Sequence, residues 1–239
     1  MKSRILPVLA AVAFAALPGI AQADIITLDS SELNKSFTVD YNGFTGDGSI
    51  AGLAAQIVFT LTGTTANSYT LGYKVTNTSD DPITNSRISG FGFDTDPNIK
   101  SASSTGAYTV TALNSNVPNI GKVDVCFKDG GGSKSCAGGG GGGVGFGETG
   151  SGELTLSFAS PLSSLTLSDF FTRYQSISGA GGTSSAVGSG TISTSSSGGS
   201  SSGGTPVPEP GMFGLFALGV GALMLRRRRT APAPKLAIA

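Results

Sequence analysis

The sequence predicts an all-β fold, a single antiparallel β-sandwich or jelly-roll-like domain, and three observations point to it. Apolar and polar residues alternate over many short stretches, turn-forming clusters separate those stretches, and Gly, Ser and Thr abound while charged residues make up only 13%. A period of two places every second side chain on one face of a strand. Glycine and β-branched residues are poor helix formers, so the composition agrees with the pattern.

In chain order, "SFTVDY" puts Phe37, Val39 and Tyr41 on one face, and "YTLGYKVTN" does the same with Tyr69, Leu71, Tyr73 and Val75. "KVDVCF" alternates Val123, Val125 and Phe127, and "GELTLSF" alternates Leu154, Leu156 and Phe158. "LAAQIVFTLTG" is more continuously apolar and reads as a strand buried on both faces. Between these runs lie "NGFTGDG", "NTSDDPITN" and "DTDPN", all turn chemistry. "LSSLTLSDFFTRYQ" fits strand or helix. Eight to ten short strands are expected over residues 24–175. Residues 176–206 are almost wholly Ser, Thr, Gly and Ala, and read as a flexible linker that cannot bury enough apolar surface to offset its ordering entropy.

The ends of the chain carry addresses. Lys2 and Arg4 precede the apolar run "ILPVLAAVAFAAL" and then "AQA". That is the layout of a secretory signal peptide over residues 1–23, with Ala21 and Ala23 as the small residues of the cleavage site. At the other end "VPEP" is followed by an uncharged run over residues 211–225, by Arg226 to Arg229, and by a tail, residues 231–239, expected on the cytoplasmic side. The run predicts one short hydrophobic helix of about 22 Å, less than the usual transmembrane length. Proline in the triplet disfavours helix and holds the chain extended, a shape suited to a protease.

Residues 207–230 resemble the PEP-CTERM sorting signal of Gram-negative bacteria. The resemblance rests on Val207, Pro208, Glu209 and Pro210, on the apolar stretch, and on Arg226, Arg227, Arg228 and Arg229. It implies recognition and cleavage by an exosortase, transient residence in the inner membrane, and a mature form at the cell surface or outside the cell. Extracellular polysaccharide is the partner that the resemblance suggests. A permanently membrane-anchored surface protein is the alternative.

Removing both ends leaves eight Lys and Arg against fourteen Asp and Glu between residues 24 and 208, a net of about −6. An acidic product argues against direct binding of nucleic acid or anionic lipid. The chain has no histidine, which removes the commonest general base, and no enzyme activity is expected.

Cys126 and Cys136 are the only cysteines. In an exported chain such a pair, with Gly130 to Gly132 between them, reads as one structural disulfide. The pair and the glycines Gly138 to Gly143 resemble the cistern group of PEP-CTERM proteins, a resemblance that implies no activity.

Other motif matches lack the context their chemistry needs. "GFGETG" fits G-x-G-x-x-G, but a strand follows where a dinucleotide site needs a helix. "GSSSG" fits the nucleophile-elbow pattern within the expected linker, without a histidine to act as base. Asp94, Asp96 and Asn98 have the alternating oxygen spacing of a calcium loop, although Ile99 and Thr105 stand where such a loop carries Gly and Glu. Two readings stay open there: calcium as the single candidate cofactor, or Asx-turns in a strand connection. The expected protein is thus a non-enzymatic, exosortase-sorted surface or matrix protein, with a carbohydrate- or calcium-dependent binding module as the alternative.

Overall fold

The computed structural model describes residues 24–130, 135–137 and 141–195. They form twelve strands: β1 (Ile26–Leu28), β2 (Ser36–Thr45), β3 (Gly48–Thr65), β4 (Ser68–Asn77), β5 (Asn85–Asp96), β6 (Ser101–Ser104), β7 (Val110–Val117), β8 (Gly121–Lys128), β9 (Val144–Gly145), β10 (Thr149–Ser157), β11 (Leu165–Ser178) and β12 (Ser185–Ser195). One 3-10 turn at Ser30–Glu32 is capped by Asp29, whose carboxylate accepts from the Ser31 amide.

All pairings are antiparallel and join into one sheet of order β6-β10-β4-β3-β2-β12-β11-β5-β8-β7, with β1 on β11 and β9 on β5. The sheet is nearly closed into a barrel. Closure removes most of the unpaired edge that an open sheet would present. The all-β, antiparallel expectation therefore holds, as one continuous sheet curled onto itself.

The alternating stretches bury the faces they predicted. Phe37, Val39, Tyr41, Tyr69, Leu71, Tyr73, Val75, Leu154 and Leu156 are all buried. Aromatic rings carry the packing across the interior. Phe37 stacks on Phe59 at 5.1 Å, Phe59 meets Phe91 at 5.8 Å, and Phe91 meets Tyr108 edge to face at 5.2 Å. Phe93 reaches Phe170 at 5.7 Å, which ties β5 to β11. Such pairs add about 0.5–1.5 kcal/mol each beyond the area they bury. The Tyr73 hydroxyl donates to the Thr105 carbonyl and accepts from the Tyr108 amide, fixing the loop between β6 and β7.

Two expectations are corrected. First, β3 is not buried on both faces: Ala54, Gln56, Val58 and Thr60 are half-buried and alternate with buried Ala55, Ile57, Phe59 and Leu61. Ala54 and Val58 are apolar but sit on the outer side, and that made the run look two-sided.

Second, the flexible linker cannot begin at residue 176, nor the domain end at 175. β11 continues to Ser178, a turn rich in glycine follows, and β12 is an interior strand between β11 and β2. Ala186, Val187 and Gly188 are buried. A strand need not supply the apolar bulk itself when its neighbours do. A Cβ at Gly188 would lie 2.3 Å from the Asn42 carbonyl and 2.4 Å from the Thr172 hydroxyl. One at Gly190 would lie 2.6 Å from Val39, 2.7 Å from the Tyr41 ring and 2.8 Å from Phe170. Large neighbours occupy the volume that these glycines leave. Asp24, the first residue after the expected signal-peptide cut, accepts from the Ile192 amide and ties the start of the described chain to β12.

Candidate functional site: a pinned loop, a polar face and a sorting segment

Strands β7, β8, β11 and β12 carry an outer cluster as well as the inner core. Cys126 and Phe171 are buried with Ala112, Val117, Val123, Cys136 and Val187. Cys126 lies next to inward Val125 and Phe127 in β8, so the alternation turns its sulfur outward. The loop after β8 returns over this surface. Cys126 and Cys136 are joined in a disulfide with Cα atoms 6.3 Å apart, as expected.

Backbone anchoring completes the pinning. The Cys136 amide donates to the Ser115 hydroxyl at 2.9 Å, and the Lys128 ammonium donates to the Ser135 carbonyl at 3.2 Å. Arg173, from β11, donates through Nε to the Ala137 carbonyl at 3.1 Å and through Nη1 to the Ala186 carbonyl at 2.9 Å. Burial lowers the pKa of this guanidinium. Its role is to hold two carbonyls in place, one on the loop and one on β12.

At the loop's far side Arg87 bridges Asp129, the Gly142 carbonyl and Gln175. Burial raises the Asp129 carboxyl, and the Arg87 charge opposes the rise without cancelling it. These contacts clamp the loop at both ends. A cavity between Cys126, Cys136, Phe171 and Arg173 has room for about 10 Å³, the size of one water.

The candidate calcium residues occupy the other end of β5. The Asp94 carboxylate accepts from the Asp124 amide at 2.8 Å, and the Asp124 carboxylate accepts from the Thr95 amide at 3.0 Å. Burial raises the Asp94 carboxyl, the bond from the Asp124 amide opposes this, and the charges of Asp124 and Asp169 add to the rise. Asp96 and Asn98 are exposed. Among the described residues no group of three His, Cys, Asp or Glu side chains is disposed to hold a metal ion. "GFGETG" forms a tight turn, in which the Glu148 carboxylate accepts from the Gly145 amide, and β10 follows it.

Two surface features have no counterpart in the sequence motifs. A groove of about 300 Å³ opens between the β2–β3 hairpin and the β11–β12 turn, lined by Asp47, Ser49, Ile50, Pro82 and Ala180 among others. The outward side of β2, β3, β4 and β10 carries hydroxyl side chains in register across the sheet. The alternation of Ser and Thr with core residues was its signal in the sequence. Arg173, a single cation inside the apolar run "FFTRYQ", was the signal for the loop anchor.

Ala21, Ala23, Val207, Pro208, Glu209, Pro210 and Arg226 to Arg229 lie outside the described residues, as does the expected hydrophobic helix. Among the described residues no helix is long and apolar enough to cross a membrane. No curated protein and no solved structure matches the chain significantly. One family model does match, that of the PEP-CTERM protein-sorting motif, over residues 206–229. The motif implies export and a membrane-anchored precursor processed by an exosortase. With the triplet, the apolar run and the arginines all inside the matched segment, this chain carries a PEP-CTERM protein-sorting motif that follows a nearly closed β domain in the sequence.

Proposed function

We propose that this is a non-enzymatic protein of the cell surface or extracellular matrix, delivered by exosortase processing and associated with extracellular polysaccharide. The observation that carries the reading is the sorting motif at residues 206–229, separated by ten residues from the last described strand. Every described strand ends at or before Ser195, so cleavage at the triplet takes no described strand from the barrel. The disulfide suits an oxidising compartment, and an acidic product suits the outside of the cell. On the paired cysteines and the glycine run after them we place the protein with the cistern group of PEP-CTERM proteins.

The triplet is the element to test. Replacing Pro208, Glu209 and Pro210 together by alanine removes both the charge and the proline bias against helix that would suit an exosortase. The variant is expected to stay with the membrane fraction at its unprocessed mass while the wild type leaves it. Release of the variant at the wild-type rate and mass would refute exosortase sorting.

A further inference from the structure

We infer that the outward face of β2, β3, β4 and β10 is a docking surface for an extended, neutral polysaccharide. This rests on the reading above and names the surface that meets the polymer. The register aligns outward residues into rows across the four strands. Asp40, Gln56, Thr76 and Thr149 form one row, and Ser36 and Thr60 stand side by side in another. Neighbouring strands are spaced about 4.8 Å apart, and successive outward residues about 6.7 Å along each strand. Hydroxyls therefore recur across the face at these spacings, interrupted by Ala54, Val58, Gly72, Lys74 and Glu153.

Hydrogen bonds within the face hold these hydroxyls in position. Ser36 meets Thr60 at 2.7 Å, Thr76 meets Thr149 at 3.2 Å, and Thr70 meets Thr155 at 3.4 Å. A hydroxyl has one proton and two acceptor lone pairs, so the Thr76–Thr149 and Thr70–Thr155 pairs keep capacity to bond outward. Threonine alone would be weak evidence, because β-branched residues favour exposed strand positions for packing reasons. That preference does not extend to serine, yet Ser36, Ser68, Ser151 and Ser157 occupy the same face.

Charge chooses the partner. The outward positions of the four strands carry only Asp40, Lys74 and Glu153, and Asp40 accepts from the Gln56 amide at 2.9 Å. A polyanion would need a cluster of cations, and a basic partner a cluster of acids. A neutral polyol matches a nearly neutral face that both donates and accepts. The aromatic ring at these outward positions, Phe44 near the end of β2, packs against the cluster of Phe171 and Val187, so recognition does not depend on stacking single sugars. Each hydrogen bond exchanged with water contributes little, and many made at once along one chain supply affinity by multivalency.

The test is gel-retardation of the purified exported protein in native gels containing a soluble neutral β-glucan, a carboxylated glucan, or no polymer. Wild type is expected to be slowed by the neutral glucan alone. Thr60→Glu and Thr155→Glu, each shown folded by its melting midpoint, are expected to lose at least tenfold in apparent affinity. Thr60→Ser should retain it, and so should Lys122→Glu on β8. No retardation by the neutral glucan, retardation by the anionic polymer alone, or equal retardation of the Glu variants would overturn the proposal. The intact mass of the same preparation reports on sorting, so failure here leaves that reading separately decided.

Discussion

Gly188→Val is expected to lower the melting midpoint by about 10 °C or more, whereas Ser193→Val, five residues along the same strand, is expected to leave it within about 2 °C. The difference follows from what each side chain would meet. A Cβ at 188 would stand 2.3 Å from a backbone carbonyl on β2, 2.4 Å from Thr172 and 3.0 Å from Tyr174. The carbonyl belongs to Asn42, which is paired with Ala54 of β3, and cannot move without disturbing the β2–β3 ladder. Overpacking a well-filled core costs about 1–3 kcal/mol, and more where backbone must shift. Domains have only about 5–15 kcal/mol in total. Ser193 is exposed, and substitutions at such positions usually stay within about 0.5 kcal/mol. Circular dichroism melting of both variants is decisive. Two unchanged midpoints would return residues 185–195 to the status of a linker.

Cys136→Ser is expected to cost about 2–5 kcal/mol, the usual range for a native disulfide in a small secreted domain. For a domain of this size that is roughly 5–15 °C in melting temperature. The bond spans ten residues, and Cys136 itself packs with Phe171 and Val187. Losing the covalent link frees the loop in the unfolded and folded states alike, and the outer cluster loses its cover. Dye binding to exposed apolar surface should therefore rise below the melting transition. A variant that melts with the wild type and binds no more dye would show that Arg173 and Lys128 hold the loop without help.

Much of this fold was legible because period-two patterning reports burial directly. Phe37, Val39 and Tyr41, or Leu154 and Leu156, declare an inward face without reference to any other strand. β12 was not legible. Its burial depends on Tyr41 of distant β2 and on Phe170 and Tyr174 of β11, large side chains on other strands that fill the space its glycines leave. The same limit applied to the apolar Val58, whose outward orientation is a matter of which strands flank β3. Among the site residues, the Cys126–Cys136 pair could be read from composition and export, since the chain offers a single pairing. The anchors could not: Arg173 holds a loop thirty-six residues away. Asp94 pairs with Asp124 thirty residues away, and the local "DTDPN" spacing had suggested different neighbours. Patterns that act within one strand survive in sequence, and those that need a partner strand do not.

Export and sorting are tested most directly by intact-mass spectrometry of the protein from producing cells with and without the exosortase. The expected product begins at Asp24, lacks Arg226 to Arg229, ends at or near Pro208–Pro210, and forms only when the enzyme is present. A mass that retains the arginines in both strains would contradict exosortase processing and make this a permanently anchored membrane protein.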